Sequence, residues 1–400
     1  MRLFNVSEEM LPIDPVVLRP ASLKTEMVLR YGRGLAEPWD RRTQSQTALS
    51  VGLYGDQIHV VGPTQSSLVE LSETIRIGRA LADRAARTQE RRAVALGSPV
   101  LPFVPLSPED ATRREGPALR AAPTSPSRYG FHMHIAVESP EEGVQVLDRI
   151  RVWLPVLLAL SANSPFWDAR PSRFSSHRYF SCSKWPTSGP SSIFGSAEEY
   201  ERQMRHLTHP AARRCAAVTN LDAQLSDTRE TLDVLLADVC MDAEHAAVLA
   251  TITRALVEVM ARQWREGSPP APASVAQVRA ALWLAAMNGL DGKLMSPCSG
   301  RNSAVKDVVI ELLELIHPVL VEHGETEHVE ATVADMLHHG NGSRRQRDAY
   351  LVRQGPHDVV EAALRGTHNV DFTHGVPSAI LAEEWALTDT EQLPTKASVG

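Results

Sequence analysis

The segment Gly130–Val137 reads Gly-Phe-His-Met-His-Ile-Ala-Val, and it limits the fold of the chain more than any other stretch. Because successive side chains of a β-strand point to opposite faces, His132 and His134 share one face and the apolar residues around them share the other. Two polar, metal-capable side chains on an otherwise apolar strand are typical of the floor of a functional site. An edge strand with a solvated histidine face explains the same spacing equally well, and both interpretations stand at this point.

A long apolar helix is predicted to follow this strand. The pattern from about Pro140 to Ala162 is helical, and Pro165 ends it because proline disfavours helical backbone in the residue before it. Residues 168–193 are rich in Ser, Pro and Arg and are predicted to be loop with short extended pieces. Ala197–Leu207 is predicted to be a short helix.

Three further segments are predicted to be strands with polar residues on one face. In the first, near the N-terminus, alternation places Ser7 and Glu9 on one face and Glu8 on the other. The second, at 50–61, carries Gln57 and His59 on the same side. The third begins at residue 231 and carries on one face Thr231, Asp233 and Leu235.

Helices are predicted for most of the remaining chain. Thr64 is predicted to cap a helix that runs to about Arg92. Residues 98–129 hold seven prolines and are predicted to be a long irregular loop, either a lid or a crossing loop without a role. From Asp242 onward the pattern is helical, with Ser343 as one N-cap. We expect one domain at 1–367 and a loose acidic C-terminal tail at 368–400.

Composition argues against nucleic acid and membranes as partners. The net charge is −7 and there is no long basic run, so electrostatic binding of nucleic acid is not expected. The longest apolar run, at 152–160, is about half the length of a membrane span. The N-terminus lacks the apolar core of a signal peptide, and the four cysteines form no Cys-x-x-Cys pair. A reduced, cytoplasmic protein is therefore expected.

The order of these segments resembles the type 2 glutamate–cysteine ligases, also called YbdK-like carboxylate–amine ligases. The resemblance rests on the Gly-x-His-x-His-Ile segment and on the run Leu-Pro-x-Leu-Leu-Ala-Leu-Ser-Ala-Asn-Ser-Pro-Phe-Trp at 154–167. Further matches are Ser-x-Arg at 176–178, Asn-Gly-Leu-Asp-Gly at 288–292 and Gly-x-Gly-x-x-x-Gln-Arg at 340–347. Together they cover residues 3 to about 367.

The resemblance implies an α+β fold, with a curved antiparallel sheet flanked by helices, related to the catalytic fold of glutamine synthetase, and a helical C-terminal half. It implies that ATP and Mg²⁺ phosphorylate a carboxylate, typically the γ-carboxylate of glutamate, and that an amine then attacks the acyl phosphate. Small-molecule carboxylates and amines are the expected partners, with a second copy or an active homologue as a protein partner. By position it implies metal ligands at Glu9, His59 and Asp233, catalytic residues at Arg178, Asp233 and Arg347, and nucleotide or substrate contacts at Gln57, His132, His134, Ser176 and Arg178.

The sequence departs from the family pattern where metal and phosphates would bind. The family's Gly-Val-Glu-Glu-Glu reads Asn-Val-Ser-Glu-Glu at 5–9, so that Glu9 alone remains of two carboxylates on that face. Its Thr-x-Glu-x-Arg reads Thr-Leu-Asp-Val-Leu at 231–235, which shortens a carboxylate and removes a guanidinium. Because phosphoryl transfer depends on charge stabilisation, one lost arginine can slow it by about a thousandfold. Arg170 and Arg173 are either substitutes or surface charges.

Three functions remain open on this basis. The first is an ATP-dependent carboxylate–amine ligase with an altered substrate and rearranged ligands. The second is a ligase fold that has lost catalysis and serves as a binding or regulatory partner. The third is ATP-independent chemistry in the same pocket, for example a hydrolysis in which a histidine acts with a carboxylate as general base.

Overall fold

The computed structural model describes residues 2–24, 47–52, 56–103, 129–184, 188–207 and 220–368. Its strands are β1 (Phe4–Ile13), β2 (Ala48–Val51), β3 (Ile58–Val61), β4 (Arg92–Val94), β5 (Gly130–Ala136), β6 (Phe166–Trp167), β7 (Arg170–Pro171), β8 (Ser188–Gly189), β9 (Asn220–Leu221), β10 (Ala223–Leu225), β11 (Thr231–Asp238), β12 (Lys293–Met295) and β13 (Asn302–Ala304). Its helices are α1 (Leu68–Arg87), α2 (Pro140–Ile150), α3 (Leu154–Ser161), α4 (His177–Cys182), α5 (Ala197–Leu207), α6 (Ala243–Arg265), α7 (Val275–Asn288), α8 (Val305–His323), α9 (Thr326–His339), α10 (Gly342–Arg353) and α11 (Pro356–His368).

A seven-stranded antiparallel sheet organises the molecule. The strand order is β10-β11-β5-β1-β3-β2, and β4 pairs with the C-terminal part of β1. Strand β1 is central because β5 and β3 pair with its two opposite edges and β4 pairs with its C-terminal part. A register irregularity follows Val234 in β11, next to β5. The two-sided pairing of β1 brings residues from distant parts of the chain onto one sheet face.

The second face of the sheet is apolar and packs in the core. Phe4 and Val6 of β1 and Phe131 and Met133 of β5 are almost fully buried with side chains of α1 and α6. Glu8 points into the same layer, as alternation predicted, and there meets Arg79 of α1. The burial of an apolar sheet face against helices explains why the sheet can carry polar residues on its other face.

Several predicted boundaries were wrong. The predicted strand at 50–61 is not one strand, because residues 50–51 end β2 and residues 58–61 form β3, which pairs with β2 antiparallel. Helix α1 is capped by Ser67 and not Thr64, and it ends at Arg87, so that Arg92 begins β4. The apolar stretch 140–162 is two helices, because the chain turns at 151–153 and Pro155 sits in the first turn of α3, where its missing N–H costs nothing.

The C-terminal half is helical, as predicted, with two exceptions. The short hairpin β12–β13 interrupts it, and the N-cap of α10 is Asn341 and not Ser343. Of the predicted 98–129 loop, residues 104–128 lie outside the described residues, whereas Val100 and Leu101 are buried in the core. The predicted tail lies outside them from residue 369 onward. None of the helices in the described ranges is long and apolar enough to cross a membrane.

Candidate active site

The polar face of the sheet gathers the residues that the sequence pointed to. Ser7 of β1 lies opposite His132 of β5 in the strand register, and Glu9 lies opposite His59 of β3. On the other side of β5, His134 lies opposite Asp233 of β11. Residues paired directly across strands share a face, so these side chains form one polar surface.

A cavity of about 440 Å³ opens above one end of this surface. Helix α4 and strands β8 and β9 supply the wall opposite the sheet. The volume suits a small metabolite more than a macromolecular segment. Its lining residues are Glu9, Gln57, His132, Arg178, Tyr179, Cys182, Ser183, Ser188, Gly189, Leu221, Asp222, Leu235 and Leu236.

Arg178 supplies the positive charge of the cavity and is held rigidly. Its Nε donates to Oδ1 of the buried Asp238 at 2.8 Å, and its Nη2 donates to the backbone carbonyls of Leu236 and Ala237. Among the described residues Nη1 donates no hydrogen bond, and the side chain lines the cavity. This nitrogen can therefore bind a carboxylate or phosphate oxygen of a ligand.

Glu9 and His132 lie side by side at the sheet end of the cavity. One carboxylate oxygen of Glu9, Oε2, accepts from the backbone N–H of Gly130 at 2.8 Å, which leaves Oε1 for a ligand. Burial lowers the pKa of His132 to about 4, and the nearby charge of Arg178 acts in the same direction, while Glu9 opposes it. His132 is therefore a neutral hydrogen-bonding group near pH 7.

Asp222, which the sequence did not indicate, also lines the cavity. The hydroxyl of Tyr179 donates to Asp222 Oδ2 at 3.0 Å. Burial raises the pKa of Asp222 to about 7, against the lowering effect of that hydrogen bond and of Arg178 and Arg279. A carboxyl group that titrates near neutral pH in a cavity is suited to general acid–base catalysis. No motif marks Asp222 in the sequence, since its property arises from burial.

Ser176 serves the framework and not the cavity. It is fully buried, its Oγ donates to Asp238 at 2.8 Å, and it accepts from the backbone N–H of Tyr179 as the N-cap of α4. The second oxygen of Asp238 accepts from the hydroxyl of Ser164 and the backbone N–H of Asn163. Asp238 thus joins β11 to the segment 163–178, and Asn163, Ser164 and Ser176 serve this junction.

The remaining predicted residues lie in three places. Gln57 lines the cavity, and its Oε1 is 3.2 Å from His59 Nε2. His134 and Asp233 are joined by a hydrogen bond of 2.8 Å and lie outside the cavity lining. Arg347 of α10 forms an ion pair with Asp291 and donates to Ser175 Oγ at 3.1 Å, so the structure does not bring it into the cavity.

The predicted metal ligands do not come together. Glu9 and His59 are cross-strand neighbours, whereas Asp233 lies two strands away and is bonded to His134 and Thr231. In the ranges that the structure describes, no three His, Cys, Asp or Glu side chains are grouped closely enough to share a metal ion. These residues therefore do not fit a protein cage for Mg²⁺, which prefers several oxygen ligands.

Comparison with known proteins decides the family. The model of glutamate–cysteine ligase family 2 matches residues 6–363. The chain belongs to this family. A relative from Paenarthrobacter aurescens, named "Putative glutamate--cysteine ligase 2-1", is 38% identical over 370 residues, which cover 92% of this chain and 96% of the relative. The resemblance found in the sequence is thereby confirmed.

Solved structures confirm the fold class. A Francisella tularensis glutamate–cysteine ligase in complex with AMP matches with a TM-score of 0.61 at 12% identity, over 98% of this chain and 95% of that one. A bifunctional glutathione synthetase from Pasteurella multocida matches with a TM-score of 0.62 at 13% identity, over 92% of this chain and 52% of that one. The fold of this family member is that of the glutamine synthetase-like ligases.

Proposed function

We propose that this protein is an ATP-dependent carboxylate–amine ligase whose substrate differs from that of its family. One observation carries the proposal: the cavity combines a fixed guanidinium, Arg178, with a carboxyl group of near-neutral pKa, Asp222. A ligase needs a cation for the reacting carboxylate and a base for the attacking amine. Family membership and the AMP complex of a protein with this fold support the use of ATP.

In the proposed mechanism Arg178 and Asp222 have separate roles. Arg178 Nη1 binds the carboxylate that is activated and stabilises the negative charge that builds up on it. Asp222, when ionised, accepts a proton from the ammonium form of the substrate amine, because that nitrogen has no lone pair for attack on the acyl carbon until the proton is lost. The hydroxyl of Tyr179 fixes the orientation of Asp222 through its hydrogen bond.

ATP would supply the phosphoryl group that turns the carboxylate into a good acyl donor. Of the described residues, Glu9 has a carboxylate oxygen at the cavity for a cation carried in with the nucleotide phosphates. Because the remaining ligands are not grouped, we assign no step to Mg²⁺.

The test measures nucleotide binding first and turnover second. We expect ATP to raise the melting temperature, and we expect ADP release when a small carboxylate and an amine from a panel are added together. Asp222→Asn should lower kcat by about 10²–10⁴-fold, the usual contribution of a general base. In the wild type, kcat should rise with pH up to about 7, because Asp222 acts in its ionised form.

Asp348→Asn provides the matched control, since Asp348 is exposed on α10 and lies outside the cavity lining. Its kcat should equal that of the wild type. A folded wild type that neither binds ATP nor releases ADP with any carboxylate–amine pair would exclude the ligase proposal.

A non-catalytic binding function is the second candidate. It is favoured by the lack of a grouped metal site among the described residues and by the use of Ser176 and most of Arg178 in contacts with Asp238 and the backbone. Binding of a small carboxylate without ADP release under any condition would support it.

A further inference from the structure

Three side chains on adjacent strands form a hydrogen-bonded row beside the cavity. Ser7 Oγ of β1 lies 3.1 Å from His134 Nε2 of β5. The other ring nitrogen, His134 Nδ1, lies 2.8 Å from Asp233 Oδ1 of β11. The hydroxyl of Thr231 donates to the same carboxylate oxygen at 2.8 Å. The proposed ligase mechanism assigns this row no role.

The order of atoms in the row is that of a hydroxyl, a base and an orienting carboxylate. When Nδ1 donates to Asp233, Nε2 carries no proton and can accept the one on Ser7 Oγ. Asp233 and His134 are almost fully buried, whereas Ser7 is half-buried. The hydroxyl is thus the accessible end of the row, as a nucleophile must be.

The neighbours of Ser7 indicate which acyl group would fit. Ser7 is not itself among the lining residues, but its cross-strand partner His132 and the residue two positions along its strand, Glu9, both line the cavity, so Ser7 lies next to it. A Cβ atom built on Gly130 would lie 2.8 Å from His132 Nε2 and 3.4 Å from Arg178 Nη1, so these two groups converge there. An acyl chain that extends from Ser7 along the sheet would place a terminal carboxylate near the guanidinium.

We propose that Ser7, His134 and Asp233 form a serine nucleophile system that catalyses ATP-independent hydrolysis of small esters whose acyl group carries a carboxylate. In the first step Ser7 Oγ bonds to the carbonyl carbon, the bond to the leaving oxygen breaks, and the Ser7 proton passes through His134 Nε2 to that oxygen. In the second step water attacks the acyl-serine ester, and His134 takes a proton from the water. The bond from carbon to Oγ then breaks and Oγ regains that proton. The sum is ester plus water to acid plus alcohol.

The first experiment uses the full chain without ATP and two probes, 4-nitrophenyl acetate and mono-4-nitrophenyl glutarate. We expect nitrophenolate release with a higher kcat/KM for the glutarate. Intact-mass and peptide analysis should find one glutaryl group on Ser7. Ser7→Ala should abolish both, and Ser7→Cys should carry the acyl group as a thioester that hydroxylamine removes.

Ser50→Ala is the matched control. Ser50 is also half-buried, lies on the same sheet face and is paired in register with a histidine, His59. It makes no hydrogen bond to that histidine among those the described residues form, so its replacement should leave hydrolysis and the adduct unchanged.

Asp233 acts in the proposal as a positioning residue. Asp233→Asn should lower kcat by up to about 10⁴-fold with KM unchanged, because the ring would lose its orientation and not its substrate site. An adduct on another residue, equal release by Ser7→Ala, or no acylation of a folded wild type would overturn the proposal. Since no nucleotide is present, each of these results is separate from success or failure of the ligase assay.

Discussion

At the scale of single residues, Asp222 should control part of the pH dependence of stability. Its pKa is raised by burial from an ordinary value of about 4 to about 7. Between these values the folded chain holds a proton that the unfolded chain releases, so the free energy of unfolding falls as pH rises from about 4 to about 7. Asn cannot ionise and keeps an oxygen that accepts from the Tyr179 hydroxyl. The variant Asp222→Asn should therefore not show this fall in the free energy of unfolding.

The measurement is the melting temperature of wild type and Asp222→Asn at pH 5 and pH 8. From pH 5 to pH 8 the melting temperature of Asp222→Asn should rise relative to that of the wild type. The melting temperature of Asp348→Asn should equal that of the wild type at both pH values. A constant difference between Asp222→Asn and wild type at both pH values would contradict the raised pKa.

The sequence identified those residues of the site whose placement follows from a local pattern or a motif, and it missed those whose property depends on their surroundings in the fold. His132, Glu9 and Gln57 were predictable because alternation within each segment, together with the family resemblance, assigned them to the site, and the structure brings all three to the cavity. Asp222 was not predictable, because its raised pKa comes from the residues that bury it and no sequence pattern marks a lone aspartate. Arg347 stands in a recognisable motif, yet its guanidinium is engaged by Asp291, and a motif does not specify which partner a long side chain chooses.

At the scale of secondary-structure elements, the pair Glu8–Arg79 should hold β1 against α1. The two side chains are almost fully buried and 2.7 Å apart, and Arg79 also donates to the carbonyls of Cys240 and Met241 just before α6. Removing one partner of a buried ion pair leaves the other charge without compensation. Glu8→Gln should therefore lower the free energy of unfolding by about 3 kcal/mol, measured by urea denaturation.

Glu73→Gln on the same helix is the comparison for this prediction. Glu73 pairs with Arg76 at 3.8 Å, and about half of each side chain is exposed. Exposed pairs contribute less than about 1 kcal/mol, so this variant should unfold near the wild-type midpoint. Equal losses in the two variants would show that the Glu8–Arg79 pair is not the contact that joins β1 to α1.

Elements were predictable where a single period runs through them. Helices α5, α6 and α7 agree with their apolar pattern, as does strand β5. The errors fall where the sequence carries no signal for a boundary. The turn between α2 and α3, at 151–153, has no glycine, asparagine or proline to mark a helix end, and the three-residue β4 is too short to show a period.

At the scale of the whole molecule, the fold was predictable because the order of segments matches a family. The hydrogen bonds among the side chains on the polar face of the sheet were not predictable. On that face Ser7 and Asp233 are joined through hydrogen bonds to the same histidine, His134. Which partner each side chain finds depends on strand register between residues 127 and 99 positions apart, and local sequence does not contain that information.

The extent of the domain leads to the last prediction. Residues 1–368 form one compact unit, and the buried apolar residues of the described ranges lie within it. A chain ending at His368 should therefore melt within about 2 °C of the full chain and keep its activity.

A chain ending at Gly355, which lacks α11, should melt several degrees below the full chain or fail to fold. In α11, Val359 and Val360 are buried, at about 1.5–3 kcal/mol each, and Thr367 Oγ1 accepts from the backbone N–H of Ala95. A large fall in melting temperature already at His368 would show that residues 369–400 belong to the domain.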